Sequence, residues 1–146
     1  MKTSRQFIGL VLVAAAILLG GCATTSSNLA PGADLAAVKS IYVVRLPADQ
    51  RGINQIIADQ LAVKGYRATT GEAAAVPAAV DAVLTYQDKW MWDITMYMIE
   101  LNVQLREPKT DIALATAKSY RPSLQRKTPA GMAEEVLTQL FNTKKP

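Results

Sequence analysis

Cys22 is the residue in this 146-residue chain whose chemistry is best specified by its neighbours. It is the only cysteine, so no intramolecular disulfide can use it. Leu19, Gly20 and Gly21 stand directly before it and close an apolar run, Phe7 to Leu19, that follows Lys2 and Arg5. A basic start, a short apolar run and small residues before a cut describe a secretory signal peptide over residues 1–21. The run is too short for a membrane span, which takes about 20 predominantly apolar residues. Other reactive chemistry is sparse. Histidine is absent, which removes the usual general base, the usual zinc ligand and every Ser-His or Cys-His arrangement. No Gly-rich phosphate loop and no GxSxG motif occurs. Asp88 and Asp93 are the carboxylates closest to a notable cluster. A carboxylate pair can do acid–base work at a suitable separation. The plainer reading is strand-end aspartates paired with Lys89 or Arg106. The expectation is a protein with no catalytic residue, no metal and no cofactor.

Leu19-Gly20-Gly21-Cys22 resembles the lipobox of bacterial lipoproteins. The resemblance implies a diacylglyceryl group on the Cys22 thiol, cleavage before Cys22 and acylation of the new amino terminus. Several acyl chains, palmitate among them, would make a lasting membrane anchor, since one chain alone binds only marginally. Residue 23 is Ala rather than Asp. In a Gram-negative lipoprotein that implies the outer membrane, facing the periplasm.

Cleavage would leave 125 residues, enough for one domain with a real core. Lys2 and Arg5 leave with the signal, so the 16 basic residues become 14 against 12 acidic ones, a net of +2. The longest basic runs are the pairs Arg126-Lys127 and Lys144-Lys145. Nucleic acid is therefore not an expected partner.

Residues 22–37 are rich in Thr, Ser, Ala, Gly and Asn, which reads as a flexible tether. Residues 38–146 read as a single domain. Ser40–Leu46 is a β-branched run ended by Pro47, a first strand. Asp49 is an N-cap for a helix over 50–64, with Ile53, Ile56, Ile57 and Leu61 on one face and Gly65 at the C′ position. Tyr66–Thr70 is a short strand, and Gly71–Ala79 a loop. A third strand starts at Val80. Tyr97, Ile99, Leu101, Val103 and Leu105 alternate with Met98, Glu100, Asn102, Gln104 and Arg106, a strand with one buried face. Glu107–Asp111 is a turn, and Ile112–Tyr120 returns with a small face at Ala113, Ala115 and Ala117. Thr128-Pro129 opens a last helix with Met132, Val136, Leu137, Leu140 and Phe141 on its apolar face. The order β-α-β-β-β-β-α predicts an α+β fold, a mainly antiparallel sheet of four to five strands with two helices on one face.

This order behind a lipobox resembles small periplasm-facing lipoproteins: the LPS-assembly lipoprotein, the ABC-transport auxiliary lipoproteins and outer-membrane lipoproteins of no assigned activity. The residues that carry it are Asp81–Tyr86 through Trp90–Asp93, similar to a central strand pair. The resemblance implies a tethered binding or assembly subunit with an envelope protein partner. The alternative it implies is an accessory subunit of lipid or glycolipid transport. A carboxylate-dependent hydrolase is disfavoured by the missing motifs.

Two clusters could meet a partner. Both tryptophans and three of the five methionines fall within Trp90–Met98. Trp90, Trp92, Met96 and Met98 either seal the edge of the core or form a partner surface, the two methionines on the otherwise polar strand face. Arg121, Arg126 and Lys127 precede the last helix. They are either a solvated basic loop or a contact for an anionic partner.

Overall fold

Alternation of apolar and polar residues over Thr95–Arg106 builds a strand, β5, that faces helices on one side and solvent on the other. The computed structural model that shows this describes residues 22–142. The signal-peptide reading and Lys144-Lys145 lie outside the described residues. Around β5 are β1 (Thr24–Leu29), β2 (Ser40–Val44), α1 (Ile53–Val63), β3 (Arg67–Gly71), β4 (Ala82–Asp93), β6 (Ala113–Tyr120) and α2 (Pro129–Phe141). Short 3-10 turns occupy Leu35–Ala37, Ala73–Ala75 and Ser123–Gln125.

The α+β class and the two helices are as expected. The sheet differs: it has six strands in the order β1-β6-β5-β4-β2-β3 and is mixed. β1/β6, β6/β5 and β5/β4 are antiparallel, whereas β2 runs parallel to both β3 and β4. The reason lies in the connections. Helix α1 carries the chain back to the end where β2 began, so β3 must run parallel to it. Residues 72–81 make a second return, and β4 joins the other edge of β2. Asp81 fastens that join, accepting from Lys39 N (3.0 Å), Ser40 N (2.8 Å) and Ser40 Oγ (2.8 Å).

The tether reading of residues 22–37 is corrected by β1. Thr24–Leu29 pairs with β6 from Thr24↔Tyr120 to Leu29↔Ala115. Ladder bonds are backbone bonds and take polar side chains readily; only Leu29 packs against the core. The composition resembled a linker because an edge strand has little to bury.

Helix α1 starts at Ile53, three residues later than the expected 50. Gly52 at φ 68° turns the chain into it, a conformation that costs most residues sterically. Asp49 still serves the helix start, accepting from Arg51 N (2.8 Å) and Asn54 N (3.2 Å). Gly65 at φ 93° ends α1 as expected. Thr128 Oγ1 accepts from Gly131 N at 3.1 Å, with Pro129 in the first turn. Ile57 and Leu61 of α1 and Val136, Leu137 and Leu140 of α2 are fully buried against Ile41, Val43, Leu84, Leu101 and Leu105 of the sheet. Each such side chain contributes about 1.5–3 kcal/mol of burial. Small Ala115 and Ala117 let α2 close on β6. The opposite sheet face carries no helix.

Candidate functional site

The β4–β5 hairpin is longer than the sheet that supports it. β6 pairs with β5 only from Glu100 onward, and β2 pairs with β4 only at Val83 and its two neighbours. Residues 90–98 therefore stand out as a two-stranded tip.

A bulge decides how that tip is sided. Lys89 lies across from Glu100, but Trp90 lies across from Met98. Ile99 is the extra residue, and two residues of β5 oppose one of β4. Alternation changes phase there. Met98 and Met96 leave the polar face and join Trp90 and Trp92 on the helix side. This corrects the expectation that the methionines share a face with Glu100 and Asn102. The four-residue cluster also divides by depth. Met98 is buried at 1% exposure, and Trp90 packs against the core under the Arg51 guanidinium, 4.3 Å from its ring centroid. Trp92 is 69% exposed and Met96 48%. The inner pair is core, and the outer pair is surface.

Sequence reasoning missed three further exposed apolar residues at this end of the sheet. Met91 and Ile94 at the tip are exposed, and so is Leu124 in the neighbouring 3-10 turn. Ile94 sits at φ 61°, where a β-branched residue is strained by on the order of 1–2 kcal/mol. The chain signal was available: a lone Ile between two alternating runs, where a tight turn favours Asn or Gly.

The basic loop lies beside this tip. Arg126 donates to Thr95 Oγ1 (2.8 Å) and Ser123 O (3.0 Å), lies 3.9 Å from Asp93 and stacks 4.9 Å over the Tyr97 ring. Ser123 Oγ donates to Asp93. Arg121 and Lys127 both bind Glu135 of α2, and Ser119 Oγ donates to the same carboxylate. Burial alone would raise the Glu135 carboxyl, but Arg121, Lys127 and Ser119 outweigh it and hold it at about 2. Arg121, Arg126 and Lys127 are thus tied into the protein and do not converge on an open anion site. The carboxylates do not converge either. Asp88 accepts from Trp90 Nε1, and Asp93 sits on the opposite strand face with Ser123. Their expected cations are elsewhere: Lys89 pairs with Glu100, and Arg106 with Asp111. Among the described residues no group of three or more acidic or Cys side chains could hold a metal ion.

The helix-free face carries a second arrangement. Rows run across four strands: Gln87, Asn102, Lys118 and Ser26, then Thr85, Gln104, Thr116 and Asn28. They line a groove of about 630 Å³ with Arg106 and Leu46. At its tip-side end Glu100 binds Lys118 (2.7 Å) and Lys89 (3.0 Å). The hydrogen bond from Lys118, opposed by burial and joined by Asn102 and Lys89, holds the Glu100 carboxyl at about 2.

No family model and no curated protein matches the chain. Solved structures do. The PelC dodecamer from Paraburkholderia phytofirmans is similar at a TM-score of 0.61 and 15% identity, over 84% of this chain and 100% of that one. A single-residue variant of that PelC dodecamer gives 0.60 and 14% over the same shares. A PDZ domain protein from Parabacteroides distasonis gives 0.51 and 11%, over 84% of this chain and 36% of that one. At these identities the likeness is one of fold.

Proposed function

We propose that this chain is a lipid-anchored envelope lipoprotein, held through Cys22 at the outer membrane and facing the periplasm. Its α+β domain acts as a non-catalytic binding or assembly module for an envelope protein partner. The observation that carries this reading is Leu19-Gly20-Gly21-Cys22 behind the apolar run Phe7–Leu19. Cys22 is exposed and stands two residues before β1, so an acyl group there has room outside the core. Anchoring raises the local concentration of the domain near a membrane partner. Cells fed a palmitate label should yield a labelled, membrane-pelleting protein, and Cys22→Ala should abolish the label. An unlabelled wild-type protein would overturn the reading.

The groove favours a second reading, an accessory subunit of envelope lipid or glycolipid transport. Its amide and hydroxyl rows offer hydrogen bonds to a polar headgroup. Mass spectrometry of the protein extracted in mild detergent separates the two: a stoichiometric lipid beyond the anchor supports the second, a crosslinked protein the first.

A further inference from the structure

We propose that the β4–β5 hairpin tip is a second membrane contact, in which Trp92, Ile94, Met91 and Met96 enter the lipid leaflet that holds the acyl chains on Cys22. The proposal rests on acylation of Cys22.

The strand register carries the argument. Thr24 pairs with Tyr120, Tyr120 with Glu100 and Glu100 with Lys89. β1 read backwards to Cys22, and β5 read backwards to its turn, leave that row in the same direction. Cys22 and the hairpin tip are therefore at one end of the sheet. At about 3.3 Å per residue, Cys22 lies up to roughly 7 Å beyond the row and Ile94 roughly 15 Å. The difference is about 8 Å, within the roughly 5–10 Å that interfacial segments sink into a leaflet. Only Ala23 separates Cys22 from β1, so the anchor has little slack with which to hold the tip away.

The side chains agree. Among the described residues seven large apolar side chains are exposed. Met91, Trp92, Ile94, Met96 and Leu124 are at the Cys22 end; Val63 and Ile112 are at the other. Trp92 and Met96 project from one face of the tip and Met91 from the other, with Ile94 at the turn between them, so the apolar side chains surround the tip. Such a concentration marks an interaction surface, and Trp is favoured at membrane–water boundaries. The charge on the tip itself is Asp93, and Arg126 stands 3.9 Å away. At the base of the hairpin Arg51 lies over Trp90 beside Asp88, and Lys89, 64% exposed, pairs with Glu100. Ile94 is held strained and 86% exposed in a turn where Asn would relax both penalties.

The test uses the mature protein purified from cells, carrying Trp90→Phe so that emission reports Trp92. It is reconstituted into phosphatidylethanolamine–phosphatidylglycerol vesicles with plain or brominated acyl chains. Intact mass reads acylation in the same sample. Acylated protein whose emission is blue-shifted and quenched by bromine supports the proposal. Acylated protein that stays unquenched overturns it and leaves the anchor standing. Unacylated protein overturns the anchor and, quenched or not, overturns the tip as a second contact beside it. A blue shift without quenching, together with a multiple mass in detergent, assigns the tip to a second copy of this chain and overturns the membrane contact. As a second variant, Ile94→Asn in a Cys22→Ser background should bind the vesicles roughly tenfold more weakly than Cys22→Ser alone, with no fall in Tm. Equal binding overturns the proposal.

Discussion

Met98 lies directly across the hairpin from Trp90, although Glu100, two residues on, faces the adjacent Lys89. The unmatched Ile99 between them rotates the end of β5 by half a pleat. One inserted residue thus puts Met98 in the core and leaves its neighbour in alternation, Met96, on the surface of the same face.

That division predicts unequal costs. Met98→Ala should destabilise the domain by about 2–5 kcal/mol, the range for truncating a buried side chain. Met96→Ala should stay within about 0.5 kcal/mol. Urea unfolding of the Cys22→Ser protein measures both. Equal losses would mean that the bulge does not side the methionines as described.

Two carboxylates predict the acid limb of stability. Glu100, between Lys118 and Lys89, and Glu135, between Arg121 and Lys127, titrate near 2 in the folded chain against an ordinary 4.5. The unfolded chain therefore binds protons first as pH falls. The stabilisation is complete above about pH 5 and is lost as pH drops from 4.5 towards 2. Each carboxylate contributes on the order of 2 kcal/mol, discounted because the paired lysines are partly exposed. Glu100→Gln should flatten part of that slope in a pH series of unfolding curves. An unchanged slope would remove Glu100 from the account.

Gly71 and Tyr42 predict a non-additive pair. A Cβ on Gly71 would lie 2.5 Å from the Tyr42 hydroxyl oxygen, which itself donates to Glu72 O at 2.9 Å. Gly71→Ala should cost about 1–3 kcal/mol by overpacking. In a Tyr42→Phe background the obstructing oxygen is gone and the cost should shrink. A double-mutant cycle with no coupling would place the clash elsewhere.

β1 predicts slow hydrogen exchange where the composition suggests a linker. The Thr24–Leu29 amides that bond β6 should be protected relative to the Gly32 amide in the exposed turn that follows. Exchange as fast as that of an unstructured peptide would restore the tether.

Much of the architecture was legible from local pattern. The β5 alternation, the α1 face ending at Gly65 and the Thr128-Pro129 start of α2 each follow from contacts within a few residues. The location of the aromatic and methionine cluster was legible for the same reason. Its siding was not, because period-two reading carries a phase through Ile99 that the bulge interrupts. Arg121 and Lys127 looked available because neither stands beside an acidic residue in the chain; the fold brings α2 against β6 and ties both to the one carboxylate of Glu135.

The sequence by itself determined the helices, most strands, their caps and turns, and it alone carries the reading of Cys22 as an acylation site. Tertiary structure decided the rest: that Thr24–Leu29 is a strand, that β2 runs parallel to both neighbours, and that Cys22 and the hairpin tip share one end of the sheet. Helix faces and turns follow from steric preferences of adjacent residues. Strand register is a pairing between distant segments, set by which backbone groups find partners and which side chains can be buried together. No window of neighbouring residues contains that choice.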